Sequence, residues 1–406
     1  MGVETITLGC RLNFAESETM KRALLDAGAA DDLIIVNSCA VTAEAVRTTR
    51  QQIRKAKRAN PDAQLLVTGC AAQIEPETFK AMPEVDRILG NADKLHLEKI
   101  LSAAKELPSD VMAATSDPVA AGFQGKVRSF VAVQNGCDHR CTFCTIPYGR
   151  GNSRSLTYEE VRRAVAAELD RNVAEIVITG VDITSYESEG RTLGAMLQKL
   201  LADEPRLKRL RLSSLDSIEI DGPLYELVAG DERLLPHFHL SLQAGDDMIL
   251  KRMKRRHSRS QAVQIVEQIK SVRPDATFGA DLIAGFPTET EEMALNTLKI
   301  MDDCDIIAAH IFPFSPREMT PAAKMPQVDR ALIKERAARL RARATERRTA
   351  WLQSLVGTLQ PALVENHGKG HTNGFAPIMV EGAARGAYGM ARVTHADDKG
   401  LTGVFE

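Results

Sequence analysis

The chain has 406 residues, of which 44% are hydrophobic and 26% are charged. That length and composition predict roughly two or three domains with hydrophobic cores of ordinary size. The net charge of −2 does not by itself indicate a nucleic-acid-binding protein, and no apolar run approaches the roughly 20 residues of a membrane span. The seven cysteines are odd in number and too few for a disulfide scaffold, and the first residues lack a secretory pattern. We therefore expect a cytoplasmic protein whose cysteines are reduced thiols or metal ligands.

The first part of the chain alternates the patterns of strands and helices. Apolar runs predict strands at residues 4–9, 33–36 and 64–68, and amphipathic periods predict helices at 15–27 and 43–59. This βαβ order predicts an α/β domain of three layers, a parallel sheet flanked by helices, which we assign to residues 1–104.

Three cysteines of this domain follow the three predicted strands at equivalent places. They are Cys10, Cys39 and Cys70. Ligands gather at the carboxyl edge of an open α/β sheet, so cysteines far apart in sequence can meet there. The alternative is three unrelated buried thiols, the common fate of a free cysteine. The repetition after consecutive strands, with Gly9 and Gly69 allowing close backbone approach, favours a metal site.

A second run of strand and helix patterns follows a linker. Residues 105–125 contain prolines and glycines without a hydrophobic face, which indicates the linker. Strands are then predicted at 130–133, 175–179, 209–212, 237–242, 277–283 and 306–312, with helices at 157–171, 193–201, 262–272 and 291–302. About six βα units are enough for a partial TIM-like (βα)6 barrel, which we assign to residues 126–350.

A polar turn after the first strand of this barrel holds Cys137, Cys141 and Cys144 at C-x3-C-x2-C spacing. Three soft thiolates suit an iron–sulfur cluster or zinc. A [4Fe–4S] cluster normally takes four cysteines, so a set of three leaves one iron open to a substrate or cofactor. The alternative is a zinc site of three cysteines that His139 completes.

Other polar side chains lie at the predicted strand ends, where TIM-type barrels build their sites. These positions supply Asp182, Ser213, Ser214, Gln243 and Asp281. They are candidates for hydrogen bonds to a polar small molecule beside the cluster. The alternative for any one of them is an ordinary cap or loop hydrogen bond. Cys304 has no partner in this scheme and is interpreted as a structural thiol.

The last part of the chain changes character twice. Residues 330–348 predict a strongly basic helix, interpreted as a solvated connector that can face RNA. From 351 to 406, short alternating runs and frequent glycines replace any helical period. This pattern is typical of a small β-barrel of the kind that binds nucleic acid.

The turn at residues 137–144, with Phe143 before its last cysteine, resembles the radical S-adenosylmethionine signature. With the three N-terminal cysteines and the terminal barrel, the whole chain resembles the methylthiotransferases, whose last domain is called TRAM. Branches of that family act on isopentenyladenosine in tRNA, on an aspartate of a ribosomal protein, or on N6-threonylcarbamoyladenosine (t6A) at position 37 of tRNA. The motifs at 9–13, 38–42, 69–73, 138–140 and 148–155 are similar to the t6A branch.

The resemblance implies S-adenosylmethionine and two [4Fe–4S] clusters, one on each set of three cysteines. Phe143 would then pack near the adenine of the cofactor, with ordinary loop packing as the alternative, and Asp182, Ser213, Gln243 and Asp281 would hold the polar edges of the cofactor. The cluster on Cys137, Cys141 and Cys144 would make the radical, and the cluster on Cys10, Cys39 and Cys70 would carry the transferred sulfur. Both clusters must then face one cavity, so the first domain is expected to dock across the barrel mouth.

The reaction that the resemblance implies is methylthiolation of C2 of the t6A adenine, which gives 2-methylthio-t6A. It needs an electron donor such as flavodoxin or ferredoxin, and a sulfur source. Basic runs at 47–58, 206–211 and 251–259 are candidate phosphate contacts, although each can also be a solvated helix face. Two classes of alternative stay open: the same chemistry on isopentenyladenosine or a ribosomal-protein side chain, and a non-catalytic zinc protein that binds RNA.

Overall fold

The computed structural model describes residues 2–28, 32–122 and 127–406. Residues 123–126, which contain the end of the predicted linker and the start of the predicted barrel domain, lie outside the described residues. Three units follow one another along the chain: a parallel α/β unit, a partial barrel and a closed β-barrel. Within the described ranges, no helix is long and apolar enough to cross a membrane.

The N-terminal unit has three layers, as predicted. Its four parallel strands lie in sequence order: β1 (Val3–Thr7), β2 (Leu33–Ser38), β3 (Gln64–Gly69) and β4 (Arg87–Ile88). Its helices are α1 (Arg11–Asp26), α2 (Ala43–Ala59), α3 (Cys70–Ile74), α4 (Pro76–Lys80) and α5 (Leu97–Ser102). Alternate side chains of β2 face opposite layers, so Ile34 packs with Ile53 of α2 while Ile35 packs with Leu24 of α1.

The central unit is a partial barrel. Its strands and strand-like segments are β5 (Arg128–Ala132), β6 (Gln134–Asn135), β7 (Arg154–Ser155), β8 (Glu175–Thr179), β9 (Glu187–Ser188), β10 (Arg191–Thr192), β11 (Leu210–Leu212), β12 (Ser214–Leu215), β13 (His237–Gln243), β14 (Thr277–Ala284) and β15 (Ile306–Pro313). Its helices are α6 (Ile146–Arg150), α7 (Tyr158–Asp170), α8 (Leu193–Asp203), α9 (Gly222–Gly230), α10 (Asp247–Met253), α11 (Arg259–Val272), α12 (Glu291–Asp303) and α13 (Arg330–Ser354).

The barrel strands run parallel in the order β5, β8, β11 and then β12, β13, β14, β15. Because β11 and β12 are consecutive pieces of one extended segment, the arc has the six strand positions that the sequence predicts. Outward side chains such as Ile178 and Leu240 pack under the helices. The alternate side chains turn inward, and many of them are polar: Glu175, Arg211, His239 and Asp281. The interior is therefore a polar cavity rather than a packed apolar core.

Helix α13 differs from the solvated connector that the sequence predicts. Its residues Ile333, Ala337 and Leu340 are buried, the last two in the main hydrophobic core. Arg336 is also buried, with its Nη1 atom 2.9 Å from a carboxylate oxygen of Glu289. The charge pattern misled the prediction because several of its arginines pair with acidic groups in and around α12 of the same unit, among them Arg336 with Glu289 and Arg347 with Asp302.

The C-terminal unit is a closed barrel, which confirms the small β-barrel predicted for the tail. Its strands are β16 (Leu359–Asn366), β17 (Lys369–Thr372), β18 (Pro377–Val380), β19 (Tyr388–Ala396) and β20 (Leu401–Phe405), closed in the order β16-β17-β18-β20-β19. The loop between β17 and β18 docks against the amino ends of the central strands. Arg211 donates from Nη1 to the Asn373 carbonyl at 2.9 Å, and Thr277 donates to the Gly374 carbonyl at 2.9 Å.

Candidate active site

The cysteine turn between β6 and α6 is held by close backbone packing. Gly136 has φ +71°, and a Cβ atom there would lie 1.8 Å from the Asn152 carbonyl oxygen, so only glycine fits. The Cys137 amide donates to the Gly151 carbonyl at 3.1 Å, and the Cys144 amide donates to the Cys141 carbonyl at 3.1 Å. The turn therefore presents three thiols, all of them free of disulfides.

Two thiols of this turn, Cys137 and Cys144, are costly to ionise without a positive partner. Burial raises the pKa of Cys137 to about 12, with further contributions from Asp182 and the two neighbouring thiols. Burial likewise raises the pKa of Cys144 to about 12. Such clustered, desolvated thiols fit a cationic metal centre, which binds thiolates and offsets their mutual repulsion.

The N-terminal cysteines converge as the strand order predicts. Cys10 precedes α1, Cys39 follows β2, and Cys70 begins α3. A Cβ atom on Gly9 would lie 2.8 Å from the Cys39 sulfur, so the glycine lets the first turn approach the second. Burial, then the neighbouring Cys70 and Cys10 thiols, raise the pKa of Cys39 to about 11. Three thiols from three separate turns thus form a second donor set that suits an iron–sulfur cluster.

The two cysteine sets face each other across the boundary between the units. A Cβ atom on Gly149, in α6, would lie 3.3 Å from the Cβ atom of Cys70. The side-chain amide of Asn91 bridges the two, because it donates to the Gly149 carbonyl and lies 3.6 Å from the Cys70 sulfur. The N-terminal unit therefore docks across the mouth of the partial barrel.

A buried ionic cluster locks this docking. Arg150 of α6 reaches Glu16 of α1 at 2.8 Å and donates to the Asn13 side chain at 2.6 Å. Lys94 contacts the same Glu16 carboxylate at 2.5 Å. Burial alone would raise the pKa of Glu16, but the Arg150 and Lys94 charges outweigh it and lower the pKa to about 2. Sequence patterns gave no sign of this cluster.

The structure places the predicted polar residues at different depths. Asp182 lies beside the cysteine turn, with a carboxylate oxygen 3.8 Å from the Cys137 sulfur. Ser213 is buried at the end of β11, and Gln243 ends β13 with φ +70°. Asp281 lies deeper, between His239 at 3.0 Å and His310 at 3.1 Å. Ser214 begins β12 and is half-buried.

Two aromatic side chains of the cysteine turn have protein partners. The Phe143 ring packs edge-on against Phe286, with centroids 6.4 Å apart. His139 lies 2.9 Å from Asp182 and 3.7 Å from Glu219. The Asp182 carboxylate, and after it that of Glu219, raise the pKa of His139 to about 9. Ligand atoms of Cys137, His139 and Asp182 lie within 4.8 Å of one another, so this geometry also accommodates the zinc alternative.

Arg255 is a site residue that the sequence did not single out. One guanidinium nitrogen lies 3.8 Å from the Cys141 sulfur, and another donates to Asp216 at 2.9 Å. Arg255 belongs to the basic run at 251–259, which the sequence indicates as candidate phosphate contacts for RNA. Arg259 of the same run also turns inward, donating to the Gly245 carbonyl at 2.6 Å.

The three basic runs consequently differ in what they offer to RNA. Arg209 and Arg211, from the run at 206–211, are buried and contact Glu175 at 2.9 and 2.8 Å. Helix α2 keeps Lys55 and Arg58 exposed. The α2 surface therefore offers exposed cations on the docked N-terminal unit. In the run at 206–211, Arg206 and Lys208 are exposed, and only Arg209 and Arg211 serve the barrel interior.

Two family descriptions match this chain. The Radical SAM superfamily matches residues 131–301, and Uncharacterized protein family UPF0004 matches residues 2–90. The first match covers the cysteine turn and most barrel strands, and the second covers Cys10, Cys39 and Cys70.

Several curated proteins are similar over almost the whole chain. The threonylcarbamoyladenosine tRNA methylthiotransferase MtaB of Rickettsia prowazekii is 45% identical, over 93% of this chain and 91% of that protein. The MtaB protein of Aquifex aeolicus is 34% identical, over 94% and 97%. The tRNA-2-methylthio-N(6)-dimethylallyladenosine synthase of Ehrlichia canis is 30% identical, over 88% and 86%.

A solved structure shares the fold. The radical S-adenosylmethionine methyltransferase TsrM from Kitasatospora setae superposes with a TM-score of 0.55, covering 79% of this chain and 74% of that chain. The two sequences are only 13% identical, so the likeness concerns architecture.

Proposed function

The chain belongs to the radical S-adenosylmethionine methylthiotransferases, and we propose that it methylthiolates C2 of the adenine of t6A at position 37 of tRNA, giving 2-methylthio-t6A. The observation that carries the proposal is the apposition of two sets of three free cysteines, with Gly149 of one unit against Cys70 of the other. Identity to the MtaB proteins, 45% for that of Rickettsia prowazekii and 32% to 35% for others, exceeds the 30% to 31% for dimethylallyladenosine synthases and favours t6A as the substrate.

As a radical S-adenosylmethionine enzyme, the protein uses that cofactor and a [4Fe–4S] cluster. Cys137, Cys141 and Cys144 would hold the cluster and leave one iron for the cofactor. When bound, the two groups supply reductive cleavage of a sulfonium and hence hydrogen abstraction at an unreactive carbon. The turn is half-buried, and packing of the N-terminal unit against α6 shields it further from water.

We assign the orientation of S-adenosylmethionine to polar residues around the cysteine turn. Asp182, Ser213 and Gln243 lie at strand ends within reach of the mouth, and Asp281 lies further down the cavity. Phe143, held edge-on by Phe286, supplies an apolar surface beside the turn.

A second [4Fe–4S] cluster on Cys10, Cys39 and Cys70 is part of the proposal. Its support is the donor set itself, three free thiols from three turns, with the side-chain nitrogen of Asn91 donating to the Cys70 sulfur at 3.6 Å. This cluster would carry the sulfur that is transferred. Docking through Arg150 and Glu16 brings both sets to one cavity, which a transfer between them requires.

The proposed reaction also defines partners. The substrate is a tRNA whose anticodon loop carries t6A, and the exposed lysines and arginines of α2 are candidate phosphate contacts. One-electron reduction requires a donor such as flavodoxin or ferredoxin, and each turnover consumes a sulfur atom from a source outside the chain. Because tRNA modification takes place where tRNA is used, we propose a cytoplasmic location.

The test combines metal content with product analysis. After anaerobic reconstitution we expect about eight irons and eight sulfides per chain. Incubation with stem-loop RNA carrying t6A should give 2-methylthio-t6A by mass spectrometry of nucleosides, and RNA carrying isopentenyladenosine should give little product. Preferential conversion of isopentenyladenosine would overturn the substrate assignment, and zinc binding without iron would exclude the enzyme.

A further inference from the structure

Arg11, the first residue of α1, extends from the N-terminal unit into the cavity of the barrel. Its guanidinium carbon lies 5.9 Å from the ring centroid of Phe130, on β5, and 5.7 Å from that of Phe375, in the C-terminal unit. The charges of Arg128, Glu175 and Asp281, on three different barrel strands, act electrostatically on this guanidinium. Because the Arg11 guanidinium lies near side chains of several barrel strands, it lies inside the arc that these strands form.

Within the part of the chain that the structure describes, the guanidinium of Arg11 lacks the carboxylate partner that its neighbours have. Arg128 contacts Glu365 at 2.6 Å, and Arg211 contacts Glu175 at 2.8 Å. Among the described residues, the Arg11 side chain makes two cation–π contacts but neither a hydrogen bond nor an ion pair. The residue as a whole is nevertheless exposed, so a ligand can reach its N–H donors, while partial desolvation of the guanidinium lowers the pKa of Arg11.

The charged side chains around the cavity carry one more positive charge than negative charges. Four arginines and three carboxylates line this part of the cavity. The arginines are Arg11, Arg128, Arg209 and Arg211, and the carboxylates are Glu175, Glu365 and Asp281. Asp281 already accepts contacts from His239 and His310. A ligand with a single carboxylate would neutralise the excess positive charge and accept hydrogen bonds from the planar donors of the Arg11 guanidinium.

We propose that Arg11 binds the carboxylate of the threonyl group of t6A and thereby selects this substrate over adenosines with apolar N6 substituents. The inference rests on the proposed function, because it concerns which N6 substituent the same site accepts. A dimethylallyl group offers no acceptor and would leave the donors of Arg11 without a partner. Sites built around a polar contact reject ligands that lack it much more strongly than apolar pockets reject an added group.

The position of Arg11 in the chain gives this contact a further consequence. Cys10, a proposed ligand of the sulfur-carrying cluster, is its immediate neighbour. Binding of the threonyl carboxylate would therefore fix the substituted adenine relative to the turn that presents the sulfur. Arg11 acts in this scheme as a specificity and positioning residue.

The experiment compares two substrates that differ in one charge. Stem-loop RNA carrying t6A and the same RNA with the threonyl carboxylate replaced by a carboxamide are offered to the reconstituted full-length protein. We expect kcat/KM to be about 10- to 100-fold higher for the acid, mainly through KM, as for loss of one charge-assisted hydrogen-bonded pair. In the Arg11→Met variant the two substrates should become nearly equal, and Arg11→Lys should restore part of the preference. An unchanged acid-to-amide ratio in Arg11→Met would overturn the proposal.

Arg163→Met is the matched control, since Arg163 is exposed on the outer helix α7, and its acid-to-amide ratio should equal that of the unaltered protein. The carboxylate of S-adenosylmethionine is the competing ligand for the guanidinium. A rise in KM for S-adenosylmethionine in Arg11→Met, with an unaltered RNA preference, would assign Arg11 to the cofactor instead.

Failure of the inference and failure of the proposed function give different results. If the unaltered protein converts t6A and its carboxamide equally well, the function stands and the role of Arg11 falls. If it converts isopentenyladenosine and ignores t6A, the proposed function itself falls. Both results come from the unaltered protein, so they hold even if a variant does not assemble.

Discussion

Arg150 of the barrel donates to the carboxylate of Glu16 in the N-terminal unit at 2.8 Å, and both side chains are at most 2% exposed. Lys94 holds the same carboxylate from its other side. Glu16 lies in α1, which begins just after Cys10, and Arg150 ends α6, which follows Cys144. This single contact thus couples the elements that carry the two cysteine sets, and its geometry helps to set the distance between them.

Glu16→Gln should destabilise the protein by about 3–5 kcal/mol, because it leaves Arg150 and Lys94 buried without a counter-charge. Chemical denaturation of the full chain measures the change. Glu44→Gln is the control, since Glu44 and Arg47 form an exposed pair and its loss should leave the midpoint almost unmoved. Equal shifts for both variants would contradict the structural role of Glu16.

The same carboxylate predicts a dependence on pH. The pKa of Glu16 is lowered from its ordinary 4.5 to about 2, so the folded state favours the ionised form. The stabilisation is fully present above pH 4.5 and is lost as the pH falls toward about 2. The difference in unfolding free energy between the unaltered protein and Glu16→Gln should therefore shrink across this interval. A constant difference would show that Glu16 does not titrate there.

Gly149→Val should impair transfer of the methylthio group to RNA while leaving cleavage of S-adenosylmethionine intact. Even a Cβ atom at this position would lie 3.2 Å from Ile74 and 3.3 Å from Cys70, so the larger side chain must separate the two units. A displacement of about 1 Å can lower transfer roughly 100-fold, while cleavage of S-adenosylmethionine, measured as 5′-deoxyadenosine, should persist. Gly230→Val is the control, because a Cβ atom there meets nothing within 4 Å. Parallel loss of both products in Gly149→Val would argue against two facing sites.

Removal of the N-terminal thiols tests the second cluster. The triple change of Cys10, Cys39 and Cys70 to alanine should reduce iron from about eight to about four per chain. Methylthiolated RNA should disappear, and reductive cleavage of S-adenosylmethionine should continue. Cys304→Ala is the control, because that thiol is buried away from both sets and should leave the iron content unaltered. Retention of eight irons in the triple variant would refute the assignment.

Much of the fold could be predicted because its signals are local. The predicted strand at 175–179 coincides with β8, and the one at 277–283 falls one residue short of β14. The sequence does not predict helices α9 and α10, because segments of nine and seven residues are too short to show a helical period. The convergence of Cys10, Cys39 and Cys70 also followed from sequence, because parallel strands bring their carboxyl ends to one edge.

The sequence by itself determined the order of the three units, the strand positions and both cysteine sets, since periodicity and spacing depend on neighbours along the chain. Only the tertiary structure decided the partners of the charged residues. Arg211 and Arg255 belong to basic runs that resemble an RNA surface, yet one turns into the cavity and the other toward Cys141. Arg11 of the N-terminal unit likewise gains its aromatic neighbours from the two other units. Local sequence patterns show which residues lie on the same face of a helix or strand. The side chains that this face contacts come from distant parts of the chain, so only tertiary packing determines them.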